Sequence, residues 1–156
     1  MFQAVWEKPQ IITWSQILLD SFQQLLGYEL ISRQDTALEQ ARALFLAPFV
    51  VVSHGTQTDP ILNYGNQRAL QLWEMTWEDF TRTPSRLTAE PVNREERQQI
   101  LQQVAKQGYV DDYRGVRISS KGKRFLIEDA IVWNLIDRQG QFCGQAATFS
   151  HCKVIE

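Results

Sequence analysis

The chain has 156 residues, of which 44% are hydrophobic and 22% are charged, and its formal net charge is −2. A chain of this length and composition can bury one good core, and it belongs to none of the disordered, collagen-like, membrane-spanning or disulfide-scaffold classes. Because 16 basic residues face 18 acidic ones, the charge excess of a stand-alone nucleic-acid binder is missing. We therefore expect one domain that binds neither nucleic acid nor a membrane directly.

Two amphipathic helices are predicted at the start of the chain. Thr13 is a candidate N-cap for a helix over residues 14–26, whose apolar residues recur at i, i+3 and i+4. A second helix is predicted to begin at Asp35 or Thr36 and to end before Pro48. These helices must bury their apolar faces, so they either cover the rest of the domain or form a surface for a partner or a second copy of the chain.

The middle of the chain alternates short strands with helices. Residues 49–53 and 60–64 are short apolar runs, and each is predicted to be a strand. Short helices are expected after Asn66 and after Thr76, because both residues are suitable N-caps. A longer helix is predicted to begin at Asn93.

The last third of the chain is predicted to be an antiparallel meander. Strands are expected over residues 113–119, 124–136 and 141–151, and the turns between them contain Gly122 and Gly140. The period of two in the long middle strand assigns one set of apolar residues to a single face. That set is Phe125, Ile127, Ile131, Trp133 and Leu135.

The order of these elements is that of a PAS domain. Two short strands, a helical crossover and a three-strand meander predict an α+β fold, in which helices cover one face of a five-stranded antiparallel sheet. Such a fold leaves an interior pocket between the sheet and the helices. We predict that residues 1–48 are an N-terminal helical extension and residues 49–152 the PAS-like core, which together form a single structural unit.

Three stretches of sequence carry a closer resemblance. They are residues 53–66, 84–90 and 113–125, which read SHGTQTDPILNYGN, PSRLTAE and YRGVRISSKGKRF. The chain resembles the MEKHLA domain, a PAS-like family that includes bacterial stand-alone proteins and the C-terminal region of plant homeodomain–leucine-zipper transcription factors. The resemblance covers nearly the whole chain and is to a bacterial stand-alone member. It implies a sensory or regulatory module that responds to a small ligand or a redox cue, or that mediates protein contacts.

The resemblance to PAS domains does not identify a cofactor. Haem-binding PAS domains resemble one another in an axial His on the long helix before the meander, and residues 94–107 contain no His. Photoactive flavin PAS domains share an Asn-Cys-Arg-Phe-Leu-Gln motif, and the corresponding residues 83–87 lack the Cys nucleophile. The cofactor stays unknown, with b-type haem and a cysteinyl-flavin adduct disfavoured.

A pocket in this fold is expected to combine aromatic residues of the predicted core faces with a few polar groups. The candidate pocket residues are Tyr64, Asn66, Trp73, Arg86, Glu128, Trp133 and Phe149.

Charged residues within the predicted sheet leave two alternatives open. Glu128 and Asp129 lie in the middle of an apolar strand and should face opposite sides, so one of them is either a structural ion-pair partner or a polar anchor for a ligand. The possible ion-pair partners are Arg86, Arg117 and Arg124. The first hairpin of the meander is basic, and its charges form either a solvated edge or a surface for phosphate or an acidic partner. These basic residues are Arg114, Arg117, Lys121, Lys123 and Arg124.

No catalytic or metal site is predicted. His54 beside Ser53 resembles part of a hydrolase triad, but neighbouring strand residues point to opposite faces and no nucleophile elbow is present. His54 is therefore expected to bind backbone groups. Cys143 and Cys152 lack a zinc-type spacing with the two histidines and are expected to be free, buried thiols. Because no signal peptide precedes the first helix, a cytoplasmic location is expected.

Two functions fit these observations. The first is a non-enzymatic sensory or regulatory module that binds a small apolar or redox-related ligand between sheet and helices. It would signal through the N-terminal helices, which are expected to be the elements least tied to the sheet. The alternative is an interaction or dimerisation module whose core is filled by its own side chains. In that alternative, Trp6 and Trp14 would anchor a homodimer or partner interface.

Overall fold

The computed structural model describes residues 3–155. Its helices are α1 (Pro9–Leu26), α2 (Ala37–Phe45), α3 (Gln67–Trp73), α4 (Trp77–Phe80) and α5 (Pro91–Gln107). Its strands are β1 (Val50–His54), β2 (Leu62–Gly65), β3 (Tyr109–Ile118), β4 (Arg124–Ile136), β5 (Phe142–Phe149) and β6 (His151–Ile155). Short 3₁₀ turns lie at Val5–Glu7 and Ser85–Thr88. Within residues 3–155, no helix combines the length and hydropathy needed to cross a membrane.

The strands form one antiparallel sheet in the order β2-β1-β5-β4-β3. The single closing strand predicted over residues 141–151 is in fact two strands, which separate at Ser150. Both strands keep the same register on β4, since Ile131 pairs with Thr148 and Glu128 with His151. The predicted α+β fold with a five-stranded PAS-like sheet is confirmed, and β6 adds a sixth strand beside the first half of β4.

Each face of the sheet has its own hydrophobic core. Helices α3, α4 and α5 pack on one face, where Trp73, Phe80 and Val104 meet sheet residues such as Val50 and Ile127. Helices α1 and α2 pack on the other face. We call these the pocket-side core and the outer core. Because both cores share one sheet, a shift of a strand displaces residues of both cores. The division at residues 48 and 49 stays a prediction.

Helix α1 is longer than its sequence pattern indicates. It begins at Pro9, not after Thr13, because the fixed φ of proline suits the first helical position and its missing N–H costs nothing there. Gly27 ends the helix with a φ of 83°, a conformation that glycine adopts without strain.

The outer core ties α1 firmly to the sheet. Phe22 is fully buried and packs edge-to-face on Trp133, with ring centroids 5.0 Å apart. The Ser21 hydroxyl accepts a hydrogen bond of 2.9 Å from the Ile136 amide, and Trp14 Nε1 donates to Ser53 Oγ at 3.0 Å. These contacts contrast with the expectation that the N-terminal helices are the elements least tied to the sheet.

Strand β4 changes face at a β-bulge. Phe125 and Ile127 lie in the pocket-side core, whereas Ile131, Trp133 and Leu135 lie in the outer core, so the single face predicted for all five is wrong. The registers Gly115–Ile127 and Tyr113–Ala130 leave two residues of β4 opposite one residue of β3. Asp129 takes up the extra length with a φ of 54°, in the left-handed region that Asp tolerates better than most residues.

Candidate functional site

A cavity lies in the pocket-side core, between the sheet and helix α5. Its free volume is about 60 Å³, which is enough for several water molecules but small beside a typical ligand pocket. Its walls are mostly apolar, and they include Leu62, Phe80, Ile100, Ile127, Val132 and Phe149. Its polar residues are Ser53, His54, Ser85, Thr88, Arg97, Tyr113, Arg117 and Gln145, together with Trp73.

Arg97 brings a positive charge into this apolar environment. It extends from α5, only 8% of its surface is exposed, and its Nη2 donates to the Ser85 hydroxyl. No carboxylate within residues 3–155 forms an ion pair with Arg97. Burial and the neighbouring charge of Arg117 lower the pKa of Arg97 to about 10, so the guanidinium is still protonated at neutral pH. A buried charge of this kind is costly unless an anion or several hydrogen bonds balance it.

Arg117 is the second cationic residue of the cavity wall. It lies on β3, and its Nη2 donates to the Tyr113 hydroxyl at 3.0 Å while its Nη1 donates to the Val116 carbonyl at 2.8 Å. The guanidinium also lies over the Tyr113 ring, 5.5 Å from the centroid. Gly115 makes this arrangement possible, because a Cβ at that position would collide with the Tyr113 hydroxyl and crowd Arg117 Nη1.

Two residues of the cavity wall have buried polar atoms without a partner. They are the acceptor His54 Nε2 and the donor Trp73 Nε1. His54 Nδ1 lies 3.0 Å from the Gly55 carbonyl, which can only accept, so Nδ1 holds the ring proton and Nε2 keeps its lone pair. Burial lowers the pKa of His54, the hydrogen bond to Gly55 raises it, and the charge of Arg97 lowers it again. The imidazole is therefore neutral in the folded protein at pH 7.

Two buried amides hold α5 against the sheet beside the cavity. Gln145 Nε2 donates to the Leu101 carbonyl at 2.9 Å and to Asn134 Oδ1 at 3.2 Å. Asn134 Nδ2 in turn donates to the Val104 carbonyl at 3.0 Å. These bonds set the height of α5 above β4 and β5, and so they fix where Arg97 enters the cavity.

Two of the seven residues predicted from sequence, Trp73 and Phe149, line this cavity. Tyr64 and Trp133 belong to the outer core on the opposite face of the sheet. For Trp133 the reason is the bulge at Asp129, which reverses the alternation of β4 before residue 133. Burial raises the pKa of Tyr64 far above its ordinary value.

The three polar candidates also lie outside the cavity. Asn66 is fully buried at the start of α3, where it joins backbone segments. Arg86 is exposed and pairs with Asp59 at 3.2 Å. Glu128 is half-buried, directly precedes Asp129 in β4, and pairs with Arg114 at 3.7 Å and Lys153 at 3.4 Å. Glu128 therefore forms a structural ion pair, with partners other than the three arginines expected for it.

Sequence reasoning missed the cavity arginines, although each leaves a signal. Arg97 precedes Ile100 by three residues and Leu101 by four, which places a cation on the one apolar face of α5. Arg117 follows Tyr113 by four residues in a strand with Gly115 between them, so all three share a face. Arg117 is thus separate from the other charges of the basic hairpin, with which the sequence pattern groups it as a solvated edge or a surface for phosphate or an acidic partner.

The neutral imidazole of His54 predicts a loss of stability in mild acid. The folded protein holds the pKa of His54 below 6.5. In mild acid, the unfolded chain therefore binds a proton at this residue that the native state does not bind. The contribution of neutral His54 to the free energy of unfolding is then fully present above pH 6.5. It is lost as the pH falls below that value, by at most about 1.4 kcal/mol per pH unit for one proton. Urea denaturation at pH 7.5 and 5.5 measures this difference, and His54→Gln reduces it.

The exposed second histidine supplies the control for this prediction. His151→Gln is the matched substitution, because the His151 side chain is exposed on β6 and belongs to neither core. A His54→Gln variant with the full wild-type pH dependence would contradict the assignment.

The cavity does not fit the cofactors of the better-known PAS domains. A flavin or porphyrin needs several hundred Å³, against a free volume of about 60 Å³ here. None of the cavity residues is a cysteine. Cys143 is half-buried on the outer side, Cys152 is exposed on β6, and burial raises the pKa of Cys143. Within the described chain, no cluster of three or more His, Cys, Asp or Glu residues could hold a metal ion.

Comparison with known proteins agrees with this fold. The family model described as the MEKHLA domain matches residues 12–154. Among curated proteins, none matches the chain. The crystal structure of a PAS domain of a Colwellia psychrerythraea protein is 16% identical, with a TM-score of 0.65, over 78% of this chain and 98% of the other.

Two further solved structures are light-oxygen-voltage proteins. One, studied with a flavin analogue, is 15% identical with a TM-score of 0.59, over 80% of this chain and 89% of the other. The second, an RNA-binding light-oxygen-voltage receptor, is 18% identical with a TM-score of 0.62, over 78% of this chain and 35% of the other. At such identities these structures establish a common fold and nothing more.

Proposed function

The chain belongs to the MEKHLA domain family, and from this membership and the PAS fold we propose that it is a sensory or regulatory module that binds a small molecule between the sheet and α5. The observation that carries the proposal is a cavity whose wall holds two of the five buried side-chain polar atoms that lack a partner within residues 3–155, His54 Nε2 and Trp73 Nε1. Buried polar groups in folded proteins nearly always have a partner, so an unmet donor and an unmet acceptor beside free volume favour a bound ligand or ordered water.

The sheet offers a route from the cavity to the N-terminal helices. Val132 lines the cavity, and its neighbour Trp133 packs against Phe22 of α1 on the other face. Trp14 of α1 donates to Ser53, a residue of the cavity wall. A ligand that shifts β1 or β4 therefore also moves the sheet residues that contact α1. We propose that the N-terminal helices transmit the signal by a small shift on the sheet.

Binding accounts for this site better than catalysis does. His54 and Ser53 are adjacent in β1, where Ser53 meets Trp14 of α1 while His54 contacts its own loop. The Ser85 hydroxyl accepts a hydrogen bond from Arg97, which would make it a poorer nucleophile. A nucleophile with an adjacent base, the minimum for covalent catalysis, does not form here.

A second and compatible role is homodimerisation through the N-terminal helices. Tyr28, Leu38 and Leu46 are large apolar residues that are 53%, 42% and 39% exposed, and all three lie in or beside α1 and α2. Trp6 and Trp14, the residues expected from sequence to anchor such an interface, instead pack against Phe45 and bind Ser53 within the chain. A dimer would therefore be built on the three exposed residues.

Native mass spectrometry of the purified protein tests the proposal. We expect a small molecule that co-purifies, or a compound in a thermal-shift screen that raises Tm, since a ligand at 100 times its Kd stabilises by about 2.7 kcal/mol. Ala147→Leu, which fills the cavity, should abolish either signal. The same spectra give the oligomeric state and so test the dimer.

The matched control is Ala105→Leu, the same substitution on the exposed side of α5. It should keep the bound mass and the thermal shift. If no mass co-purifies and no compound stabilises the wild-type protein, or if Ala147→Leu binds as well as Ala105→Leu, small-molecule sensing at this cavity is wrong.

A further inference from the structure

Resting on the proposed function, we propose that the ligand is a small organic carboxylate with a short apolar body, and that Arg97 and Arg117 bind its carboxylate. The proposal concerns the cavity in the pocket-side core, to which both arginines contribute.

The cavity has more unused donors than unused acceptors, since His54 Nε2 is its one buried side-chain acceptor without a partner, and it also has positive charge. Of the five N–H groups of Arg97, the hydrogen bond to Ser85 uses one, and Trp73 Nε1 has no acceptor at all. Neither Arg97 nor Arg117 takes part in an ion pair within residues 3–155. None of the cavity residues is an Asp or a Glu. The protein therefore supplies two guanidinium groups and no counter-charge, although a buried cation such as Arg97 normally requires one.

Carboxylates of the chain do form ion pairs with several arginines outside the cavity. Arg86 pairs with Asp59, Arg124 with Glu90 at 2.6 Å, and Arg114 with Glu128. Each of these arginines lies outside the cavity, where a carboxylate of the chain meets it. The two cavity arginines have no such carboxylate within the described residues, which favours an acid supplied by a ligand.

The walls decide which anion fits. A carboxylate matches the planar fork of arginine and leaves one end of the molecule for apolar contacts. The remaining walls are side chains such as Leu62, Phe80, Ile100 and Ile127. Inorganic phosphate would lose bound water beside these apolar walls and would gain no hydrogen bonds from them, so it fits poorly. The free volume of about 60 Å³ limits the apolar body to a short chain, because a cavity that holds a benzene ring is about 150 Å³.

The probes are three short carboxylates, propionate, butyrate and isobutyrate, each beside its primary amide, with inorganic phosphate as a further anion. Thermal shift and calorimetry on the full chain should show that at least one carboxylate binds, while its amide and phosphate do not. Arg97→Gln should weaken that binding roughly ten- to hundredfold, the range for hydrogen bonds to a charged group.

Arg117→Gln provides a second variant in case Arg97→Gln does not fold, because Arg117 is only half-buried. It should also weaken carboxylate binding. Arg138→Gln, the same substitution in the exposed turn between β4 and β5, should bind like the wild-type protein. Circular dichroism verifies that each variant is folded.

The outcomes separate this inference from the proposed function. If the amides bind as well as the acids, if both folded Arg→Gln variants bind normally, or if phosphate alone binds, the carboxylate inference is overturned while small-molecule sensing stands. If nothing in the panel binds, the carboxylate inference also fails. The co-purified mass and the Ala147→Leu comparison then decide separately whether the cavity binds anything.

Discussion

Phe22→Ala lowers the free energy of unfolding by about 3–5 kcal/mol, the usual cost of removing a large aromatic side chain from a core. Phe22 is fully buried in the outer core, and its ring centroid lies 5.0 Å from that of Trp133 and 5.2 Å from that of Tyr28. The cavity left by the substitution lies between α1 and the sheet, where rigid strands on one side limit collapse. Urea denaturation followed by tryptophan fluorescence and circular dichroism measures the loss.

Phe142→Ala is the matched control, because Phe142 is 48% exposed at the start of β5. Its cost should stay near about 0.5 kcal/mol, as for other surface positions. If Phe22→Ala costs no more than Phe142→Ala, the N-terminal extension is an appendage and not part of the folded core.

This result bears on how a signal leaves the domain. If the Phe22 side chain contributes several kcal/mol, a ligand with modest differential affinity cannot undock α1, since a ligand shifts an equilibrium only by that difference. It can still displace the helix slightly while the outer core stays intact. Such a shift would strain the hydrogen bond from Trp14 to Ser53 and the bond from Ile136 to Ser21, which join α1 to the sheet.

The sequence predicts those parts of the fold that depend on local chemistry. Gly27 ends α1, and Thr36, Asn66 and Thr76 each accept the backbone hydrogen bond expected of an N-cap. A cap is decided by a residue and its neighbours three positions away, so a single sequence is sufficient to find it.

Other parts depend on contacts that are distant in sequence. The bulge at Asp129 follows from the register of β4 against β3, and it reverses the face of every later residue of the strand. A period of two cannot reveal an extra residue whose only signature is a pairing register. This is why the alternation places Trp133 in the pocket, whereas the residue lies against α1.

The candidate site is predictable only in part, for a related reason. Trp73 and Phe149 are large and aromatic, which makes them natural candidates for any interior surface. Arg97 looks like one of several charges in a polar helix, and its burial depends on how α5 is seated by Gln145 and Asn134. A cation on the apolar stripe of a helix is the signal to examine in such sequences.

Asn66→Ala should cost about 3 kcal/mol or more, because it leaves several buried backbone groups without partners. The Oδ1 of Asn66 accepts from the Val51 amide at 3.1 Å and the Ala69 amide at 3.2 Å. Its Nδ2 donates to the Leu44 carbonyl at 3.2 Å and the Phe49 carbonyl at 2.8 Å. The residue is fully buried, so water cannot replace these bonds without opening the junction of α2, β1 and α3.

Asn93→Ala is the matched control. The sequence alone predicts a helix start at both Asn66 and Asn93 and does not show which of the two side chains contributes more to stability. Both residues are asparagines at a predicted helix start, but α5 begins at Pro91, so Asn93 lies inside its first turn. We expect Asn93→Ala to change the free energy of unfolding by no more than about 0.5 kcal/mol. Equal costs for the two variants in urea denaturation would show that the Asn66 bonds do not hold the extension to the core. If only Asn66→Ala has a large cost in free energy of unfolding, the buried side-chain amide of Asn66 joins Phe22 among the groups that make the N-terminal helices part of the domain.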